Sequence, residues 1–296
     1  MTMLWIWLSL AAPTLWAASN MIDYDLLCGR MRSPATLLVI TGVSSAVPGL
    51  SMLIAGTLEW PDRSAFVLAG LSGCLGLLVY YPYFRALMIS SPSRALLMWN
   101  LSPALVAVMA HAFLHEVLST AQLVGVGLLI GSSLIAIPAC ALQKYSLAPY
   151  AWMSLASILL ATQAVLEKAL FAHASLASGI GWMSLAAGIT TLIIVAIVPR
   201  SRPNVSVVVG TDTRRLVLNQ LLDVSAVLCL SAATSLGPVS LVHAIGGIQP
   251  IMVLAIGVVA AGMLRVPVMR SSVQWGRTSV ACGLAVVGLL ILYSPK

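Results

Sequence analysis

Residues Tyr83 to Ile137 read YFRALMISSPSRALLMWNLSPALVAVMAHAFLHEVLSTAQLVGVGLLIGSSLIAI. A polar elbow, Ser90-Ser91-Pro92-Ser93-Arg94, opens onto an apolar run broken by Pro103. His115-Glu116 is a short polar stop, and a second apolar run follows, spaced by Gly125, Gly127 and Gly131. The same order returns between Leu230 and Leu292. There the elbow is Ser235-Leu236-Gly237-Pro238, the mid-run proline is Pro250, and a basic turn from Arg265 to Arg270 precedes a last run with Gly283 and Gly288. Pro92 and Pro103 lie eleven residues apart and Pro238 and Pro250 twelve, so the echo is close but not in strict register. A pattern that repeats after half the chain points to internal symmetry.

Composition fixes the solvent. The 296 residues are 60% hydrophobic and 8% charged, with a mean hydropathy of +1.03. A soluble domain carries roughly 25% charged residues because its surface faces water. Ten long apolar runs emerge: 3–27, 35–56, 65–87, 95–114, 121–142, 148–172, 180–198, 216–233, 240–264 and 272–293. Each is near the ~20 residues that a helix needs to cross a bilayer, and too long and continuous for a barrel strand. The fold class expected is an all-α membrane protein of ten transmembrane helices. The first run is read as a span: it lacks the basic leader of a signal peptide and is longer than a usual signal core.

Ten spans divide as five and five near Gln143 to Ala148, giving repeats at 1–143 and 148–296. An odd number of helices per half makes the halves insert in opposite directions, the inverted-repeat arrangement of many secondary transporters. Leu8–Asp23 echoes Met153–Glu167 and puts Asp23 and Glu167 at matching span ends. Of fifteen Lys and Arg residues, twelve fall on one set of loops, leaving Arg63, Lys168 and Lys296 on the other. Positive residues stay cytoplasmic, so both termini are expected outside.

The net charge of +7 forms no basic patch interleaved with aromatics, so nucleic acid is not an expected partner. The five cysteines are isolated and read as small buried hydrophobes. His111 and His115 stand one helical turn apart beside Glu116, but the zinc-protease pattern fails at Ser119, and no metal or cofactor is expected.

Asp223 is the sharpest polar feature. It sits about 13 Å inside its span at 1.5 Å per residue, with Asn219 and Gln220 on the same helical side. Buried acids at that depth line pathways, or bridge helices as hydrogen-bonded structural groups. Trp16, Asn20 and Asp23 share one face of the first span, and Gln163 and Glu167 one face of the sixth. The proline-broken stretches Trp99-Asn100-Leu101-Ser102-Pro103 and Gly246-Gly247-Ile248-Gln249-Pro250 are matched breaks, the pointer to a transporter site. The candidate substrate-binding residues are therefore Asp223, Asn219, Trp99, Asn100, Gln249, Trp16, Asn20 and Gln163. Asp23 and Glu167 are candidate gates at opposite ends of the path, pairing with nearby Arg or Lys. His243 is read as structural. Gly70, Gly73 and Gly76 are read as a close-packing surface, and Tyr80, Tyr81 and Tyr83 as an interfacial aromatic belt.

Several of these stretches resemble the EamA family of the drug/metabolite transporter superfamily. They are Leu15-Trp16-Ala17, the Ala86–Arg94 elbow entering Leu101-Ser102-Pro103, Phe113-Leu114-His115-Glu116 leading to Gln122-Leu123-Val124-Gly125, and Leu236-Gly237-Pro238 with Gln249-Pro250. The resemblance implies a ten-helix inverted-repeat carrier with a central cavity, exporting small metabolites, amino acids or toxic compounds, and no enzyme. A flippase for a polar or lipid-linked molecule is the alternative it leaves. The partners expected are a small-molecule substrate, the lipid bilayer and, as candidate coupling ion, protons; the place is a bacterial inner (plasma) membrane. Three departures stand out. His115 occupies a position where the family usually has Gly, the first span has no acid before Asn20, and many family members keep both termini in the cytoplasm.

Overall fold

The computed structural model describes residues 4–29, 31–90, 95, 98–99, 101–117, 119–136, 147–198, 213–250, 252–253, 256 and 275–292. Asn100, the polar elbow from residue 91 to 94, the long connection 199–212 and the basic turn 265–270 lie outside the described residues.

Twelve helices are described: α1 (Leu4–Cys28), α2 (Pro34–Ser45), α3 (Val47–Ile54), α4 (Arg63–Leu78), α5 (Tyr80–Ile89), α6 (Leu101–Leu114), α7 (Thr120–Ala136), α8 (Ala148–Leu170), α9 (Leu176–Ile197), α10 (Thr213–Leu236), α11 (Val239–Gly246) and α12 (Trp275–Leu292). No strand occurs among the described residues. Five stretches, Pro34–Ile54, Arg63–Ile89, Ala148–Leu170, Leu176–Ile197 and Thr213–Leu236, are long and apolar enough to cross a membrane. Leu101–Leu114, Thr120–Ser132 and Ser279–Ile291 are shorter apolar helices. Helices suit lipid because each one satisfies its own backbone hydrogen bonds.

Local chemistry sets the helix ends. Ser33, Asp62 and Ser175 cap α2, α4 and α9, their side-chain oxygens accepting the N–H of Thr36, Ala65 and Ser178. The third apolar run is interrupted at Val79 because Pro82 has no N–H for the Leu78 carbonyl. The last run but one breaks where the sequence expects it: α11 stops at Gly246, and helical backbone resumes at Gln249 after a turn. Trp99 forms the corresponding turn before α6, its carbonyl accepting the Ser102 N–H at 2.9 Å.

The helices pair across the two halves of the sequence. α1 lies along α10, α4 lies between α8 and α9, α2 and α3 lie on α9, α6 packs on α8 and α11, and α7 pairs with α12. In lipid, tails are as apolar as leucine, so such contacts depend on close fit rather than on exclusion of water. Glycines provide that fit against α9. A Cβ on Gly42 would overlap Thr191 Oγ1, one on Gly49 would meet the Gly181 carbonyl at 2.4 Å, and one on Gly73 would meet the Met183 carbonyl at 2.2 Å. Gly70 has open space around it, so of that glycine series it is Gly73 that makes the contact with α9.

Candidate functional site

Asp223 is the eleventh residue of the 24-residue helix α10, about 15 Å from its start. It is 4% exposed and faces α1 and α5. Trp16 Nε1 donates to its Oδ1 at 2.9 Å, and the Tyr80 hydroxyl lies 2.7 and 2.8 Å from its two oxygens. One turn earlier on α10, the Asn219 amide donates to Asp23 Oδ1 at 2.7 Å and accepts the Ser19 hydroxyl at 2.9 Å. The Tyr83 hydroxyl donates to Asn20 Oδ1 at 2.6 Å and stands 3.4 Å from Asp23 Oδ2. Every donor to Asp23 and Asp223 found among the described residues is uncharged.

Glu167 is the third acid of the site and is 1% exposed. Gln163, one turn before it on α8, donates to Oε2 at 2.7 Å, and Gln163 also reaches Ser72 Oγ at 3.4 Å. Oε1 of Glu167 has no hydrogen-bond partner, and neither has Nδ2 of Asn20. Ser231 of α10 lies against Glu167. Asp23 sits beside Asn219 and Glu167 beside Ser231, so the two acids are separated by twelve residues of α10, or about 18 Å.

These groups enclose a cavity of about 130 Å³. Its wall takes Trp16, Asn20 and Asp23 from α1, Ser72, Gly73 and Gly76 from α4, Tyr80 and Tyr83 from α5, and Gln163 and Glu167 from α8. Ile180, Met183 and Ala187 of α9 line it too, together with Asp223, Val227 and Ser231 of α10, and with Trp99 and Gln249 at the two helix breaks. The volume is well below the ~300–1,000 Å³ of pockets for drug-sized ligands.

Most of the residues singled out in the sequence meet here. Asp223, Trp16, Asn20, Gln163, Trp99, Gln249, Asp23 and Glu167 all line the one cavity. Asn219 is 1% exposed and acts behind the wall, joining Asp23 to α10. Asp23 and Glu167 are bonded to amides and a phenol, and among the described residues neither pairs with Arg or Lys. The ion pair at that end is Arg215 with Asp25, at 2.9 Å on the surface.

Tyr80 and Tyr83 correct the aromatic-belt expectation. Three residues apart, they share one helical face and turn into the cavity, while Tyr81 points outward at 37% exposed and meets Trp152 edge-on. The signal is present in the sequence: Ser72, Gly76, Tyr80 and Tyr83 follow the three-to-four spacing of one stripe. A second pair escaped the sequence as well. The Glu116 carboxylate accepts the N–H groups of Val239 and Ser240 at 3.0 and 3.3 Å, capping α11. The Lys168 ammonium donates to the Thr234 and Gly237 carbonyls at 2.8 and 2.7 Å, at the end of α10. An acid on a helix N-terminus and a cation on a C-terminus both complement the backbone dipoles. Together they hold the elbow at Leu236–Val239 from both sides.

His115 has φ 55°, the left-handed region that glycine adopts without strain. That explains why the EamA resemblance expects glycine there. His111 Nδ1 stands 2.8 Å from the Glu116 carbonyl oxygen and closes the same turn. His243 is 5% exposed in α11, apart from the residues that line the cavity.

Comparison with known proteins follows the two scales of the fold. Residues 3–137 match the EamA-like transporter family, so the resemblance holds over the first repeat. No curated protein matches the chain by sequence. Among solved structures, one described as a crystal structure of a protein superposes with a TM-score of 0.65 at 16% identity. The match covers 97% of this chain and 95% of the other, and likeness at that identity is one of fold. Apolar helices and the family match together mark an integral, multi-pass membrane protein.

Proposed function

From an EamA-like transporter repeat at residues 3–137, we propose that the whole chain is a secondary transporter, an exporter of a small metabolite, amino acid or toxic compound. It works by alternating access, with two inverted five-helix repeats, 1–143 and 148–296, rocking about the cavity. The pairing of helices supports this. α1 with α10 is mirrored by α8 with α4, and α6 with α8 is mirrored by α11 with α1, as a two-fold relation between halves requires. Asp23 and Glu167 then occupy corresponding places toward the two ends, and Asp223 lies between them. Closure at one end is the capped elbow at Leu236–Val239.

The observation that carries the reading is Asp223, a carboxylate near the middle of a membrane-length helix that faces a cavity built by both halves. An acid in that place is costly unless it serves a pathway. Protons are the candidate coupling ion, exchanged with solute at the same carboxylate. The test compares cells with and without the protein for released metabolites and for resistance to toxic compounds, then repeats it with Asp223→Asn. Loss of the export difference, with protein still in the membrane, is the expected result. Export with unchanged rate and pH dependence in Asp223→Asn removes the assignment. The flippase alternative needs room for a lipid headgroup, which a volume of about 130 Å³ disfavours; flipping of a fluorescent lipid in vesicles would favour it instead.

A further inference from the structure

The cavity is lopsided in charge. Among the described residues that line it are three carboxylic acids and no lysine, arginine or histidine. Indole, phenol and amide donors orient these acids, yet neutral donors cancel none of their charge. A cation does so at short range in a low-dielectric site, where the attraction is many times its value in water.

Two independent features say that something is missing from the site. Glu167 is 1% exposed, and its Oε1 is an acceptor without a donor on the cavity wall. Asn20 is 4% exposed, and its Nδ2 is a donor without an acceptor on the same wall. Leaving such groups empty costs about 1–3 kcal/mol each. Asp223 also has capacity left: three short contacts reach its two oxygens, and a carboxylate offers about four acceptor sites.

Rings complete the site. Trp16 and Tyr80 bond Asp223 from either side, and Tyr83 meets Trp99 edge-on at 5.7 Å between ring centres. All four line the cavity. Aromatic faces attract ammonium groups through the ring quadrupole. An anion entering here meets three acids and no base. A zwitterion brings a carboxylate that finds no cation to receive it.

Resting on the carrier reading above, we infer that the substrate is a small organic cation. Its ammonium is received in turn by Asp223 at mid-path and by Glu167 Oε1 farther along, and a neutral acceptor atom of the solute takes the Asn20 amide. The volume of about 130 Å³ selects compact amines over bulky cationic drugs.

Three compounds with one ring and three charges test this: phenethylamine, phenylalanine and 3-phenylpropionate. Binding is measured by calorimetry on the purified full chain in nanodiscs. Phenethylamine is expected to bind at least tenfold more tightly than phenylalanine, with no saturable binding of 3-phenylpropionate. Asp223→Asn and Glu167→Gln should each weaken phenethylamine at least tenfold, and either one suffices if the other fails to fold. Asp25→Asn removes a surface acid paired with Arg215 and should leave the affinity unchanged. Equal or tighter binding of phenylalanine or 3-phenylpropionate overturns the inference, as does absence of phenethylamine binding or unchanged affinity in a folded acid variant. Uptake into vesicles separates the two levels. Charge-selective binding without uptake removes the carrier reading alone, and uptake of an anion or zwitterion in preference removes the cation alone.

Discussion

Replacing Glu116 with Ala strips the N-terminus of α11 of its cap. The carboxylate receives two backbone N–H groups, from Val239 at 3.0 Å and Ser240 at 3.3 Å, and the Ser240 hydroxyl as well. Losing an N-cap costs about 0.5–2 kcal/mol, and a hydrogen bond to a charged group contributes about 1.5–3 kcal/mol. Glu116 is only partly buried, so water replaces part of what is lost, and about 1.5 kcal/mol is the reasonable sum. That is about a tenfold rise in the equilibrium for opening the elbow. Val239 is fully buried and follows Gly237-Pro238 directly, so a cysteine there reports opening. The assay is maleimide labelling of Val239→Cys in membranes, with the five native cysteines replaced. Glu116→Ala should label about tenfold faster, and Glu116→Gln, which keeps an acceptor but loses the charge, should fall between it and the parent. Equal rates in all three proteins would refute the idea that this cap holds the elbow shut.

Four further outcomes are expected. Gly73→Ala should lower the thermal midpoint, since its Cβ would lie 2.2 Å from the Met183 carbonyl and such overpacking costs about 1–3 kcal/mol. Gly70→Ala, with nothing within 4 Å, should be neutral or stabilising by up to ~1 kcal/mol. His115→Gly should match or exceed the parent in thermal stability and His115→Val should fall below it, because φ is 55° there and the left-handed region costs a side chain about 1–2 kcal/mol. The Asp62 carboxyl, bonded first by the Ala65 N–H and then by the Ser64 hydroxyl, is held below its ordinary value of 3.8. A lowered folded value stabilises above the unfolded one and is lost as pH falls through the folded one. The midpoint difference between parent and Asp62→Ala should therefore shrink as pH drops below 3.8; a difference that persists in stronger acid counts against the cap. Reporter fusions at Lys296 and within 199–212 should place the first outside and the second in the cytoplasm, as the count of positive residues requires. The reverse pattern sides with the usual family orientation.

Much of this protein is written locally. Apolar runs, their proline and glycine breaks and the lone Asp223 are visible in the string because a membrane helix closes its own hydrogen bonds and needs only its own residues to form. The breaks at Trp99 and at Gly246–Gln249 fall where the prolines predict, and the stripe Trp16-Asn20-Asp23 reaches the cavity that its spacing implies. Which side of each helix faces inward is another matter. A helix that is apolar all round carries little hydrophobic contrast between its faces, so lipid and protein compete for it on nearly equal terms. That is why Tyr80 and Tyr83 read as a belt and stand in the site, and why Glu116 and Lys168 read as loop charges and close an elbow. Asp23 and Asn219 are 196 residues apart in the chain and 2.7 Å apart in space. The sequence by itself determined the solvent, the helices and the acid. Only tertiary packing decided which polar atoms meet, because each meeting joins residues whose separation along the chain no local periodicity records.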